Sequence, residues 1–451
     1  MAYRHILSAG FLLATLAIIS IGTAQEPKKD DLKNKFKIED TKFPPVPTFL
    51  DENTRLIDLS SALQLAGVQN PQILLARQRV TEAVALRQLA AAQFLPSINV
   101  GSNVDVHNGV LQQANGNILP VNRDAMYVGL GANAVAAGTP SIPGLFWSGN
   151  VSTTIYNNLI SKQVVRQREF TSVAVRNDML LRVAQAYLEL LRSEGHRAIA
   201  EKNRDQAMEI ARLTANFAKL GQGRQADADR AATELEQRNT DLMQAEADML
   251  TSSARLAQLL SLDPSVRLKP ADYWVVPQSI VPDPIPTPEL IAIAMVQRPE
   301  LGAQQAAIRA AFLDLRSAKV LPFSPNVILG YSAGGFGGGS NLLASGFAQP
   351  SGAILTQPRF TPLGQRQDID AIMYWTVRNL GLGNVAQIRI AQSNLAQKEL
   401  RNIEILNQVR SEVVLAYART HVRYAQIETN ERAIKASQKA FEQDSIRTKN
   451  R

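Results

Sequence analysis

Apolar and polar positions follow two periods along the chain, and the switch between them marks its elements. From Ser97 to His107 the period is two. Ile98, Val100, Val104 and Val106 share one face, with Ser102 the one polar residue among them, and Asn99, Gly101, Asn103, Asp105 and His107 take the other. Met126, Val128, Leu130, Ala132 and Ala134 alternate likewise, as do Leu145, Trp147, Val151 and Ile155 against Ser148, Asn150, Ser152 and Thr154. Later, Val327, Leu329 and Tyr331 alternate, and so do Ile369, Ala371, Met373, Trp375 and Val377 against Asp370, Tyr374, Thr376 and Arg378. Such alternation predicts strands with one apolar face.

Elsewhere the period is helical. Residues 59–93 and 289–320 are Ala-rich, each with an early proline that should end or kink a turn. Residues 158–219 hold no proline and one glycine, Gly195, which predicts a helix about 90 Å long. In 224–260, Ala228, Leu235, Leu242, Met249 and Leu256 recur every seven residues, with Ala231, Arg238, Ala245, Ser252 and Leu259 at the partner positions. Leu406, Val413, Thr420, Ile427, Ile434 and Phe441 repeat the pattern. Sevenfold spacing predicts coiled-coil packing. Between the first two long helices, Gly221 in Lys219–Arg224 is the expected left-handed stop.

These elements occur twice. Residues 61–73 read SALQLAGVQNPQI and residues 289–301 read ELIAIAMVQRPEL, so Pro71 matches Pro299 at an offset of 228. Each copy leads to an apolar residue and a proline, Leu95-Pro96 and Leu321-Pro322, and Ala186-Tyr187 matches Ala416-Tyr417 at an offset of 230. The predicted organisation is a first repeat over 56–269, a proline-rich connector over 270–288 and a second repeat over 289–451. Proline at that density makes a connector extended and semi-rigid.

The first residues set the compartment. Arg4 precedes an uncharged, mostly apolar run from Ile6 to Gly22, and Gly22-Thr23-Ala24 then offers a cleavage site. This predicts a signal peptide over 1–24 and an exported protein. A charged, Lys-rich tail over 25–55 comes after it. No later run is long and apolar enough for a spanning helix, so any membrane embedding must come from strands.

Composition removes whole classes of chemistry. With no cysteine there is no disulfide framework, thiol nucleophile, Cys-ligated zinc or lipid-modified N-terminal Cys. The net charge of +8 is spread out and forms no nucleic-acid stripe. His107, His196 and His421 lie far apart, outside any helical metal-ligand spacing. Asp227-Asp229 and Glu234-Glu236 sit two apart and do not share a helix face. The glycines between Gly334 and Gly339 lack a phosphate-loop ending and are expected to form a flexible loop between strands. No serine sits in a nucleophile elbow. The expectation is a protein that is not an enzyme and that has no cofactor, catalytic residue or metal site.

About four alternating strands cannot close a barrel alone, because about eight is the smallest number that does. A membrane forbids open strand edges, so the strands must be pooled between subunits. Four from each of three chains give twelve. The long helices cannot fit inside such a barrel and must project from it. A periplasmic coiled-coil structural or adaptor protein outside the membrane is the alternative, but it would not need matched apolar strand faces or a duplicated hairpin.

From about residue 56 onward the chain resembles the TolC-type outer-membrane efflux proteins. The likeness rests on the duplication, the Val-Gln-x-Pro segments, the junction Trp375-Thr376-Val377-Arg378-Asn379-Leu380-Gly381-Leu382-Gly383-Asn384 and the turn Leu220-Gly221-Gln222-Gly223. It implies a mainly α fold with β: long coiled-coil hairpins, plus four strands per chain in a trimeric, twelve-stranded transmembrane β-barrel. It further implies a homotrimeric, passive export conduit of a tripartite efflux or type I secretion system, in the outer membrane with helices in the periplasm. Its implied partners are a periplasmic adaptor (membrane fusion) protein, an inner-membrane pump or secretion ATPase, and outer-membrane lipid. Leu220, Gly221, Gln222 and Gly223 are then the expected adaptor-docking tip. Asn99, Asn103, Asp105, Asn150, Ser152 and Thr154 are the expected lumen-lining strand positions, a generic polar set that names no substrate. One departure is expected: by the offset of 230, Arg451 matches Gly221, so the counterpart of residues 222–260 is missing, and the sequence is either a fragment of a longer chain, which the unbroken heptad at Ile427, Ile434 and Phe441 favours, or a naturally truncated relative.

Overall fold

A computed structural model describes residues 54–112, 114–133, 141–272, 285–340 and 363–449. The expected signal peptide, nearly all of the charged tail and most of the proline-rich connector lie outside these residues. In chain order, β1 (Thr54–Ile57) precedes α1 (Leu59–Gln69) and α2 (Pro71–Ala92), and then come β2 (Ser97–Ile98), β3 (Val100–Gln112), β4 (Ile118–Ala132), β5 (Ile142–Pro143) and β6 (Leu145–Asn150). The long helices α3 (Val151–Lys219) and α4 (Gln225–Leu260) come next, then β7 (Arg267–Pro270). The second half holds α5 (Thr287–Gln297), α6 (Pro299–Val320), β8 (Asn326–Ser340), β9 (Gly364–Tyr374) and α7 (Leu382–Lys449).

The duplication is visible in the helix bounds. Those of α5 and α6 equal those of α1 and α2 displaced by 228 residues. Both pairs break one residue before a proline, because proline cannot continue the preceding helix but is preorganised for the first position of the next. The breaking residue differs. Asn70 caps α2, its Oδ1 accepting from the backbone N–H of Gln72 at 2.9 Å, while its Nδ2 donates to the Leu259 carbonyl at 2.8 Å. Arg298 gives α6 no side-chain cap and pairs instead with Glu412 of α7 at 3.3 Å. The same position thus ties each short-helix pair to a long helix by different chemistry.

The chain divides into two compact bodies: Ala198–Glu246, and the described residues on either side of it. In the first, Ala228, Leu235 and Leu242 of α4 are buried, as the sevenfold spacing requires, and Ala211 of α3 is buried too. In the second, Val183, Tyr187 and Leu190 of α3 and Met249, Leu256 and Leu260 of α4 are buried, and Ser193 and Ser252 share a hydrogen bond of 2.9 Å. In the same body α7 packs on α6 through Leu315, Ala318 and Ala391, with Ile388 and Leu395 against them. Leu406 and Val413 are half-buried, but every residue of α7 from 414 to 443 is exposed, including Thr420, Ile427, Ile434 and Phe441.

β1 and β7 form a short parallel pair, so the start of the first repeat lies against the chain that leaves it. The other strands form one antiparallel sheet in four rows. β2 and β3 are the first row, β4 and β6 the second, β8 the third and β9 the fourth. The glycine-rich run is a correction to the expected loop. Gly334–Gly339 lies inside β8, paired with β4 on one side and, through Gly334 and Gly335, with β9 on the other. Close approach requires glycine at two of these positions: a Cβ on Gly334 would stand 2.5 Å from the Val128 carbonyl oxygen and 2.8 Å from the Tyr127 ring, and one on Gly338 would stand 2.4 Å from the Asp124 carbonyl oxygen.

Candidate channel wall and hairpin tip

Strand pairing fixes the two faces of the sheet. Val104 lies opposite Met126, and Val327 opposite Met373. This face carries Val100, Val104, Val106, Val128, Leu329, Ile369 and Met373, all exposed. On the other face Asn103 lies opposite Tyr127, Tyr127 opposite Phe336, and Ser332 opposite Asp368. The sheet is therefore apolar on one side and mainly polar on the other.

The six expected lumen positions fare differently. Asn103 and Asp105 are on the polar face of β3, half-buried. Asn99 falls between β2 and β3, and its Nδ2 donates to the Pro143 carbonyl at 2.8 Å. Asn150 ends β6 and caps α3: its Oδ1 accepts from the Thr153 N–H at 3.2 Å and from the Ser152 hydroxyl at 2.9 Å. Ser152 and Thr154 are not strand positions. They lie buried in the first turn of α3, Thr154 donating back to the Asn150 carbonyl at 3.0 Å. Val151 and Ile155 begin the helix with them, because an asparagine cap leading into helical turns satisfies backbone groups that continued alternation would leave open.

Sequence reasoning missed a second polar group on this face. Arg366 pairs with Asp368 at 2.9 Å and lies 4.9 Å over the Phe336 ring, and the Asn133 amide donates to Asp368 at 2.6 Å. The alternation that placed Asp370 on the polar side of β9 extends back to Asp368 and Arg366. Nothing local points to Asn133.

At the sheet's helix-facing end a tryptophan device is duplicated. Trp147 donates its indole N–H to the Gln93 carbonyl at 2.7 Å, and Trp375, 228 residues later, donates to the Phe323 carbonyl at 3.3 Å. Phe94, Phe323, Tyr374 and Trp375 are exposed around these bonds. The junction after β9 turns through left-handed residues, Asn379, Leu380 and Gly381, before α7 begins.

Next to the β1–β7 pair lies an ionic cluster. Glu194 receives two bonds from Arg197, at 2.9 and 3.0 Å, and an ion pair from Lys269 at 3.2 Å. Burial opposes ionisation of this carboxyl, but the guanidinium and the ammonium outweigh it and hold the pKa below its ordinary 4.5. A depressed folded-state pKa gives stability that is present above the ordinary value and is lost as pH falls through the lowered one. Glu194→Gln is therefore expected to melt lower than the wild type at pH 7 and to lose less on acidification to pH 3. Parallel loss in both proteins would remove the cluster's role. Nearby, burial and then the hydrogen bond to Asp272, at 2.5 Å, raise the Tyr187 phenol above its ordinary value.

In the other body, the tip closes by a double backbone bond. Gln222 N–H donates to the Phe217 carbonyl at 3.0 Å and Gly221 N–H to the Ala218 carbonyl at 3.1 Å, with Gly221 at φ 72°. This is the Schellman stop, with glycine at the position that must be left-handed. Leu220 and Phe217 are exposed beside it.

No protein-family model matches the chain, and no curated protein matches it by sequence. Solved structures do. The outer-membrane channel OprN is similar over 91% of this chain and 88% of its own, at 18% identity and a TM-score of 0.67. CusC, described for its folding and transmembrane channel formation, is similar over 88% and 86%, at 17% identity and 0.62. VceC, an outer-membrane protein of Vibrio cholerae, is similar over 84% and 83%, at 14% identity and 0.61. The chain has the fold of the TolC-type outer-membrane channels.

Proposed function

We propose that this chain is one subunit of an outer-membrane export channel, a homotrimer whose strands form a twelve-stranded barrel and whose helices continue it into the periplasm. The observation that carries the reading is the sheet with its two free edges. Among the described residues β3 pairs only with β4, and β9 only with β8, and both bear exposed apolar side chains on the same face. In hydrocarbon each unsatisfied backbone group costs several kcal/mol, so open edges of eleven and thirteen residues cannot stand in a membrane unpaired.

Strand direction supports closure by copies of the same chain. With four antiparallel rows, β9 runs opposite to β3. The β9 of one copy therefore meets the β3 of the next in antiparallel sense, and a ring of identical sheets closes with an even number of strands. The exposed aromatic cluster at the strand–helix junction suits the level where headgroups meet water. The helix tip, with Leu220, Gly221, Gln222 and Gly223, would meet a periplasmic adaptor that couples the channel to an inner-membrane pump or secretion ATPase. The protein acts as a conduit, and the choice of substrate rests with the inner-membrane partner.

Membrane fractionation with heat-modifiable gel mobility tests this directly. The expected result is an outer-membrane protein that runs as a compact trimer unheated and as a single chain after boiling. A soluble periplasmic species would end the channel reading.

A further inference from the structure

The polar face of the sheet is not open along its whole length. β4 leaves the sheet at Gly131, whose φ is 97°, and its last residues pair antiparallel with β5: Gly131 with Pro143 and Ala132 with Ile142. The chain then rejoins the sheet through Gly144 into β6. The result is a two-rung hairpin stem standing out of the second row. Residues 134–140, which join its arms, lie outside the described residues.

Separate contacts show which face the stem covers. Pro143 sits over the third row, where a Cβ on Gly330 would meet its Cγ at 3.0 Å and the Asp370 Cβ at 3.6 Å. Gly144 N–H donates to the Ser332 hydroxyl at 3.3 Å, and Ser332 is buried. At the fourth row, Asn133 donates to Asp368 at 2.6 Å and its carbonyl accepts from Arg366 at 3.4 Å. Ser332, Arg366, Asp368 and Asp370 all belong to the polar face. The stem therefore crosses from the second row over the third to the fourth, and the Arg366–Asp368 pair holds its end.

Local sequence is built for this crossing. A Cβ on Gly131 would lie 2.5 Å from the Ile142 carbonyl oxygen, and one on Gly144 would lie 2.3 Å from the Leu130 side chain. Asn99 completes the base: its carbonyl accepts from Gly131 N–H at 2.8 Å and its amide donates to the Pro143 carbonyl at 2.8 Å. Asn99, one of the expected lumen positions, is thus a fastening point of the stem.

We propose that this stem is a fixed constriction inside the barrel, clamped by Arg366 and Asp368 through Asn133, and that it sets the size limit for solutes passing the strand-walled part of the channel. The inference rests on the channel reading, which makes the polar face the lumen. A backbone layer lying on a sheet stands about 10 Å from it. Symmetry places one such stem from each subunit at the same level, so all of them narrow one cross-section.

The chain has no cysteine, so a single introduced thiol is unique. Ile372→Cys places it on the polar face of β9, on the helix side of the stem; His107→Cys places it on the polar face of β3, on the far side. Intact cells carrying the full chain are treated from outside with polyethylene-glycol maleimides of increasing mass. The expected result is that His107→Cys reacts with larger reagents than Ile372→Cys does. Adding Arg366→Ala and Asp368→Ala should raise labelling of Ile372→Cys by a large reagent at least ten-fold and leave His107→Cys unchanged. Equal mass limits at the two sites, or an unchanged limit in clamp-free trimers, would overturn the constriction and leave the channel standing. Should the clamp-free chain not reach the membrane, the two limits in the otherwise native chain decide alone. If the smallest reagent does not reach His107→Cys, the channel reading falls and the constriction falls with it.

Discussion

Gly334→Val is expected to abolish trimers in the outer membrane, while Gly335→Val, one residue away, leaves them at the wild-type level. At Gly334 a Cβ would sit 2.5 Å from the Val128 carbonyl oxygen and 2.8 Å from the Cζ and hydroxyl oxygen of Tyr127. The carbonyl belongs to the paired strand and cannot withdraw without opening the β4–β8 ladder. Tyr127 is fully buried, and its hydroxyl donates to the Leu130 carbonyl at 3.0 Å. Pushing the ring aside loses that bond and strands a polar group, costing about 1–3 kcal/mol, and overpacking adds about 1–3 kcal/mol more. Against a total stability of about 5–15 kcal/mol the sum decides folding. At Gly335 the nearest atoms to a Cβ are 3.9 Å away, and the side chain would point to the apolar face. Heat-modifiable mobility of the two proteins, expressed side by side, checks the contrast. Equal behaviour would mean that the glycines of β8 are a matter of composition and not of contact with Tyr127.

The same glycines show where the sequence stops being legible. Helices were readable because their information is local: Pro71 and Pro299 mark the breaks, and Leu235, Leu242, Met249 and Leu256 carry their spacing in a single run. The strand over 326–340 was readable only to Tyr331. Beyond it the residues that make the strand necessary are on its neighbour, where Tyr127 needs an empty position opposite. Ser152 and Thr154 failed for a different reason. Their alternation with Val151 and Ile155 was real, but Asn150 starts a helix there, and a cap outweighs four residues of weak period-two pattern. The hairpin stem was least visible. Ala132 and Ala134 continue the alternation of β4, whereas the bond that pulls the chain out of the sheet joins Asn133 to Asp368, 235 positions later. One half of that contact, the acidic row of β9, could have been found by extending the alternation from Asp370. The other half depends on Gly131 and on the second repeat folding beside the first.

Gly221→Val is expected to remove export while trimers still assemble and reach the outer membrane. The residue has φ 72°, and a Cβ there would touch nothing within 4 Å, so the cost is conformational and not steric crowding by neighbours. A left-handed conformation costs a side-chain-bearing residue about 1–2 kcal/mol, and more for a β-branched one. That is too little to unfold a protein whose buried heptads lie elsewhere on the same helices. It is enough to undo the two bonds to the Phe217 and Ala218 carbonyls that set the direction in which Leu220 leaves the helix. Gly221→Asn tolerates the same conformation and is expected to keep export. Leu220→Ala separates a docking tip from a simple helix stop: it leaves the turn intact and removes only an exposed apolar side chain. Reduced resistance of the native host to a panel of toxic compounds in both Gly221→Val and Leu220→Ala, measured against a deletion strain, supports contact with a partner at the tip. If Leu220→Ala retains full resistance and Gly221→Val loses it only as far as its trimer level falls, the turn serves the hairpin alone and the docking role of the tip falls.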